Sequence, residues 1–547
     1  MTPVSFNLAG DFILKTDNPV LTRPCLGIIA QEVLRVVFQS VLFEKTKDYK
    51  KELTLEVPEF FIDLNLDQVI DAITLGKLEY DLKPFFYTTL DNIEAIRYRH
   101  EIFRDLENYA LFECITSFAQ KMRDMRQHLT QSGKLHYKYQ KEKWFLDAVE
   151  IYCDASCCLL GDLERIDLTS RGLLAFREFL KNYIGSESFT LLNEETKNLR
   201  ADLNAVEYSL FIKENRIVVR KYESEIDYSI EVKATFEKFK QGEIEDLKPK
   251  RTDWPDMNHV EAGVLDLIAK LYPETFLCLD NFNAKNIDYL DETIGTFDRE
   301  IQFYVAYLEY IASFKRVGLR FCYPKISDES KEVYDYEVFD LALAKKILSE
   351  KNKSLVCNDF YLKDQERIFV VSGPNQGGKT TFARTFGQLH FIACLGCPVP
   401  GREAQLFMPD RIFTHFEKEE NIKNLHGKLQ DDLVRIHSIL ERATPNSIII
   451  MNEIFTSTTL NDALFLSKKI MERVVKLGVL CVFVTFLDEL ALFGETTVSL
   501  VSTVVPENPA LRTYRIVRRP ADGLAYALSI AEKYRLTYDH LKERINQ

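Results

Sequence analysis

The sequence predicts a two-part molecule: a mostly α-helical half followed by an α/β domain on a mainly parallel sheet. Three observations carry this. Between about 56 and 340, apolar residues recur chiefly at helical spacing. Beyond about 355, short apolar runs alternate with helical patterns, the order of a parallel sheet flanked by helices. The first of these runs, 368–371, leads through a glycine-rich turn, 373–378, into a helical pattern over about 381–392.

Residues 1–55 hold one amphipathic pattern, expected as a helix over about 26–44, with Ile29, Val33, Val36, Val37, Val41 and Leu42 on its apolar face. Residues 56–340 form the helical core. Its last long helix, about 287–317, carries a stripe of Phe303, Tyr307, Tyr310, Ile311 and Phe314, which reads as packing. A change of period near 206–228 marks a hairpin around Lys213-Glu214-Asn215-Arg216, and 248–251 an exposed loop. Lys121, Arg123, Arg126, Lys134, Lys138, Lys141 and Lys143, interleaved with Tyr137, Tyr139 and Trp144, either track a phosphate backbone or form a solvated helical face. Residues 318–359 read as turns and short strands. Residues 341–547 form the α/β domain. Strands are expected over 447–451, 479–485, 496–505 and 511–517, a helix over 462–476, and two short closing helices over 523–534 and 538–545.

With 547 residues the chain accommodates two to four domains. A net charge of −13 argues against a surface that is basic throughout, but leaves room for a local basic patch. Eleven cysteines in no even framework read as reduced thiols, and Cys394-Leu395-Gly396-Cys397, lacking a second pair at zinc spacing, reads as packing. No secretory signal pattern opens the chain and no apolar run reaches membrane-spanning length, so a cytoplasmic protein is expected.

Residues Gly373 to Thr380 fit G-x-x-x-x-G-K-T. Glycines let backbone N–H groups turn toward an anion, Lys379 reaches the β/γ-phosphates of a nucleotide, and the Thr380 hydroxyl is a Mg²⁺ ligand. The helix that follows points its positive end at the same anion. The second half of such a site needs an acid at the carboxyl end of a buried strand. Ile448-Ile449-Ile450-Met451 ends in Asn452-Glu453. Glu453 is the candidate to orient or deprotonate the attacking water, the alternative being an acid at a helix N-terminus. Asn452 stands where an Asp would help hold the metal, and brings an oxygen without a charge.

These residues resemble the ATPase domain of MutS-type mismatch repair proteins. Ser372-Gly373-Pro374-Asn375-Gln376-Gly377-Gly378-Lys379-Thr380-Thr381 is similar to their T-G-P-N-M-G-G-K-S-T. Val356-Cys357-Asn358-Asp359 is similar to F-V-P-N-D, and Asn452-Glu453-Ile454, Thr458 and Asp462 match parts of D-E-I-G-R-G-T-S-T-F-D-G. Pro520 to Tyr526 is similar to G-P-A-D-x-S-Y-G. The resemblance covers about 355–547. A weaker one, over 86–106 and 261–324, implies that the family's core and lever helices fill about 56–340, with a short hairpin where the family inserts its DNA clamp. The departures are specific. No F-x-E wedge motif precedes the core, Phe486 stands at the place of the family's switch His, and Leu425-His426-Gly427-Lys428-Leu429-Gln430 replaces S-G-R-S-T-F, leaving Gly427 and Lys428 as candidates to meet a nucleotide across a dimer.

The resemblance implies an ABC-type P-loop ATPase domain with a C-terminal helical dimerisation tail, binding ATP and Mg²⁺. Gly373, Pro374, Asn375, Gln376, Gly377, Gly378, Lys379, Thr380, Thr381 and Asn358 would hold the nucleotide, Thr380 and Asn452 the metal, and Glu453 and Lys379 would act in catalysis. It implies a truncated MutS-like protein, a DNA-dependent ATPase closing as a homodimeric clamp on mismatched or branched duplex. The competing expectation, favoured by Asn452 and Phe486, is an ATP-binding switch or scaffold with little turnover and no mismatch specificity. A transporter cassette or small-molecule kinase fits poorly, because L-S-G-G-Q is missing.

Overall fold

The computed structural model describes residues 38–44, 53–214, 216–225, 228–238, 256–350, 355–417, 427–505, 507–521 and 536–545. The helical half comprises α1 (Leu66–Thr74), α2 (Lys83–Tyr87), α3 (Ile93–Leu106), α4 (Tyr109–Lys134), α5 (Lys138–Arg165), α6 (Arg171–Ile184) and α7 (Glu187–Asn204). There follow β1 (Tyr208–Lys213), β2 (Arg216–Lys221), α8 (Tyr228–Lys238), α9 (His259–Leu271), α10 (Pro273–Lys285) and α11 (Glu292–Lys315). β1 and β2 pair antiparallel as an isolated hairpin that exposes Tyr208, Leu210, Phe211, Ile212 and Val218.

Helix α11 is the axis of this half. Fifteen of its residues are buried, among them the whole aromatic stripe from Phe303 to Phe314. Phe176 of α6 stacks on Phe297 with ring centroids 3.5 Å apart. The basic stretch falls on α4 and α5. Arg123 pairs with Glu79, Arg126 with Asp298, Lys138 with Asp280 and Lys143 with Asp147, and Tyr139 packs edge-on against Phe276. These partners favour a structural face over a phosphate track.

The helix expected over about 26–44 is corrected where it is described: residues 38–44 are not helical, while 26–37 lie outside the described residues. Phe38, Val41 and Leu42 are buried in the helical core. Their backbone groups bond to side chains instead of a helical ladder. The Val41 N–H and the Ser40 hydroxyl donate to Glu300 Oε2 at 3.0 and 2.7 Å, Tyr98 donates to the Ser40 carbonyl at 2.7 Å, and Tyr304 to that of Val41 at 2.5 Å.

The second half holds β3 (Phe321–Cys322), β4 (Lys325–Ser327), β5 (Val333–Val338), α12 (Leu341–Ser349), β6 (Asn358–Leu362), β7 (Ile368–Ser372), α13 (Lys379–Cys394), β8 (Val399–Pro400), β9 (Glu403–Phe407) and β10 (Ile412–His415). It continues with α14 (Lys428–Arg442), β11 (Ile448–Asn452), α15 (Leu460–Leu477), β12 (Leu480–Val484), β13 (Thr497–Val505), β14 (Asn508–Arg518) and α16 (Tyr538–Ile545). The helix expected over 523–534 lies outside the described residues. The main sheet has the order β10-β11-β12-β7-β13-β14. Its first five strands are mutually parallel and β14 runs antiparallel to β13. Strands β7, β11 and β12 are buried on both faces, which is why each reads as an unbroken apolar run. A smaller sheet, β4-β9-β5-β6, flanks it. Helix α13 packs Phe382 and Phe386 against Phe360 and Phe369, and Arg99 of α3 donates from Nη1 to the Leu395 carbonyl just beyond α13 at 2.8 Å. One continuous apolar core joins the helical half to this face of the sheet.

Within the smaller sheet, Asp335 is fully buried, and neither carboxyl oxygen has a side-chain donor among the described residues. Burial pushes its pKa from 3.8 up to about 9, with the Asp359 charge adding to the rise and the Tyr336 N–H opposing it. The folded protein therefore holds a proton there that the unfolded chain releases above about pH 4. Stability then falls as pH rises through that window toward 9. Asp335→Asn removes this dependence. Thermal melts from pH 5 to 9 should show the variant gaining on the wild type as pH rises; a constant difference would contradict the burial account.

Candidate functional site

The glycine loop leaves the central strand β7 and feeds α13, at the carboxyl edge of the parallel strands where ligands bind in such sheets. Two of its glycines are forced by close approach. A Cβ on Gly373 would sit 2.8 Å from the Ser502 carbonyl, and one on Gly377 2.1 Å from Ser502 Oγ, which itself donates to the Gly377 carbonyl at 2.7 Å. Strand β13 thus supports the loop from beneath, a contact no local sequence signal announced.

Lys379, the first residue of α13, is buried. Its ammonium donates to the carbonyls of Gly373 at 3.0 Å and Pro374 at 3.3 Å and to Asn375 Oδ1 at 3.2 Å, and lies 3.5 Å from Glu453 Oε1. Burial pulls its pKa down and the Glu453 carboxylate pushes it back up. The register Asn452↔Val484 and Val484↔Val371 places the end of β11 beside the end of β12, and that beside the root of the loop. Glu453 follows in the left-handed region, φ 49°, its N–H donating to the Val484 carbonyl at 2.9 Å. Helix α15 begins only at Leu460 behind the Thr459 cap, so Glu453 is a turn residue aimed at Lys379 and not a helix-capping acid.

The two threonines of the motif face opposite ways. Thr381 lines a cavity of about 470 Å³ with Asn358, Gly378, Phe382, Leu355, Val356 and Tyr514, a size suited to a small organic ligand. Asn358 shapes this wall: its amide donates to the Tyr514 carbonyl at 3.2 Å, and its Oδ1 accepts from the Ile516 N–H at 2.7 Å. It holds β14 in place, where Tyr514 has φ 58°. Arg512, also on β14, donates to the Asn375 carbonyl at 3.2 Å. Pro374 and Gly377 are buried in the loop, while Asn375 and Gln376 are exposed at its crest.

Thr380 lines a second cavity, of about 500 Å³, with Asn452, Asp63, Arg384, Ile62, Phe416 and Glu417. Asn452 is 8% exposed, and its Oδ1 has no hydrogen-bond partner among the described residues. A hydroxyl and an orphaned amide oxygen on one cavity are hard oxygen donors of the kind Mg²⁺ takes, so these residues fit that ion. No group of three or more His, Cys, Asp or Glu with metal-ligand geometry occurs among the described residues, at this site or elsewhere. Cys394 and Cys397 are buried, with burial pushing the Cys394 thiol up to about 12 and the Cys397 thiol up as well, the state of packed, inert cysteines.

Sequence reasoning missed Asp63, Arg384, Glu417, Arg512, Ser502 and Tyr514. Only Glu417 had a usable signal: it lies two residues beyond β10, the strand next to β11, so it had to emerge beside Asn452. Phe486, just after β12, is 47% exposed. Lys428 pairs within the same chain with Glu417. Leu425 and His426 lie outside the described residues.

A glycine loop, a buried lysine and a strand-end acid thus meet at the carboxyl edge of a parallel sheet in an α/β domain. Residues 369–537 match the family model for MutS domain V. The chain is 29% identical over 222 residues to a DNA mismatch repair protein MutS of Rickettsia akari, covering 39% of this chain and 24% of that one. It is 31% identical over 189 residues to an Endonuclease MutS2 of Thermus thermophilus, covering 34% and 25%. A DNA mismatch repair protein MutS of Orientia tsutsugamushi is 26% identical over 245 residues, 42% of this chain and 27% of its own. Its C-terminal domain is thus similar to MutS domain V, and the chain spans about a quarter of the length of the curated relatives it matches. Among the described residues no helix is long and apolar enough to cross a membrane.

Proposed function

We propose that this chain is a MutS-like protein that binds ATP at the loop from Gly373 to Thr381 and hydrolyses it, its ABC-type ATPase domain coupled to helical arms that close as a homodimer on mismatched or structured duplex DNA. One observation carries the reading: Lys379, Thr380, Asn452 and Glu453 converge on one glycine loop, with the Lys379 ammonium 3.5 Å from the Glu453 carboxylate. Lys379 and the loop N–H groups hold the phosphates, Thr381 and the wall shaped by Asn358 face the rest of the nucleotide, and Glu453 orients and deprotonates the attacking water. Bound Mg²⁺, held by Thr380 and Asn452, would neutralise phosphate charge. Lys428 is the candidate contact to a partner subunit's nucleotide once released from Glu417, and a cytoplasmic location accords with the reduced thiols.

Transmission to DNA would run through the shared core and the Arg99 bond to the turn after α13. The β1–β2 hairpin, with Lys213, Arg216, Arg220 and Lys221 beside exposed aromatics, is the surface offered to the nucleic acid. Filter binding to homoduplex, mispaired and branched DNA over a salt series tests this. Binding should weaken linearly in log–log form as salt rises, with a slope reporting the phosphates engaged. Salt-insensitive or absent binding to all three substrates removes the DNA claim.

The second reading is an ATP-binding switch with little turnover. The uncharged Asn452 and the exposed phenyl of Phe486 favour it. If only Asn452→Asp hydrolyses ATP, the wild-type protein is that switch.

A further inference from the structure

We propose that Glu417 supplies the carboxylate of the Mg²⁺ site in place of the one Asn452 lacks; this rests on the nucleotide reading above. The motif residues leave the site short of charge. Thr380 offers a hydroxyl and Asn452 an amide oxygen, yet Mg²⁺ beside phosphates is ordinarily held with help from at least one carboxylate. Among the described residues, the cavity that Thr380 and Asn452 share has two, Asp63 and Glu417, and one cation, Arg384. The Asp63 carboxylate is tied to β10, its Oδ2 accepting from the Thr414 hydroxyl at 2.7 Å, while its backbone carbonyl accepts from Arg384 Nε at 2.9 Å. Glu417 is tied to the site itself. Its Oε1 accepts from the Thr456 hydroxyl at 3.4 Å, on the loop that follows Asn452 and carries Glu453, and pairs with Lys428. Among the described residues, no hydrogen bond or ion pair is made to Oε2. The buried Asn452 Oδ1, orphaned among the described residues and lining this same cavity, marks where a cation belongs. Carboxylate charge is thereby moved from β11 to the segment after β10, next to it in the sheet. Lys428 holds Glu417 neutralised until a cation replaces it, so metal binding displaces the lysine from Glu417.

The test reads binding and needs no turnover. Binding of N-methylanthraniloyl-ATP to the full chain is measured by fluorescence across a Mg²⁺ titration, in wild type, Glu417→Gln, Asp63→Asn, and Glu417→Gln with Asn452→Asp. Wild type should bind more tightly as Mg²⁺ rises. Glu417→Gln should keep its Mg²⁺-free affinity while its Mg²⁺ midpoint rises roughly tenfold or more, and Asn452→Asp should reverse that rise. A Glu417→Gln curve like wild type overturns the assignment, as does a shift confined to Asp63→Asn. A rise that Asn452→Asp does not reverse also overturns it, attributing the effect to the displaced Lys428. Wild type that binds the analogue equally with and without Mg²⁺ defeats the metal assignment and leaves the nucleotide reading intact. Wild type that fails to bind it under either condition defeats the nucleotide reading, and this inference with it.

Discussion

Glu453→Gln should lower ATP turnover by about 10²- to 10⁴-fold, the range a positioned general base contributes, while nucleotide binding holds or tightens. The substitution keeps the side chain's size and its capacity to accept a hydrogen bond from Lys379. It removes the only property the hydrolytic step needs, a carboxylate able to take a proton from water. Binding should survive because on this reading the carboxylate would face the phosphates as a like charge, so its loss would relieve repulsion. The backbone of position 453 is held independently by the N–H bond to Val484, so the loop geometry, including its φ of 49°, does not depend on the charge. Single-turnover and steady-state rates, with affinity measured in parallel, check this. Unchanged turnover in Glu453→Gln would move the base elsewhere in the site.

Lys379→Ala should weaken ATP binding on the order of 100-fold or more. Hydrogen bonds to charged groups are each worth about 1.5–3 kcal/mol, and a lysine reaching β and γ oxygens makes two, so a loss of about 3 kcal/mol is the lower end. The ammonium is already placed for the exchange. It donates to two loop carbonyls and to Asn375, contacts that phosphate oxygens would replace on the proposed reading. The variant also leaves Glu453 without its 3.5 Å cation, so the charge facing the phosphates turns wholly negative. Circular dichroism melts separate this from unfolding. A folded variant that binds ATP like wild type would mean the nucleotide sits elsewhere.

How much of this was legible in the chain follows from where the information resides. Strands β7, β11 and β12 announced themselves because a strand covered on both faces must be continuously apolar, and the loop because its glycines are spaced by the turn they make. The helical half was legible in its periodicity, and the stripe on α11 was read correctly as packing. Residues 38–44 misled because their apolar spacing suits a helix, while the deciding partner, Glu300, lies some 260 residues away. Helix α12 went unread among the short strands around it. Asp63 and Glu417 carried no motif; only the order of strands in the sheet brings the latter to Asn452. Ser502, Arg512 and Tyr514 were hidden for the same reason, since β13 and β14 meet the loop through tertiary contact alone.

The nucleotide reading is tested most directly by calorimetric titration of the purified full chain with ATP in the presence of Mg²⁺, alongside Lys379→Ala. The predicted result is saturable binding at one site per chain, strongly weakened in the variant. Absence of saturable binding by folded wild-type protein would contradict it.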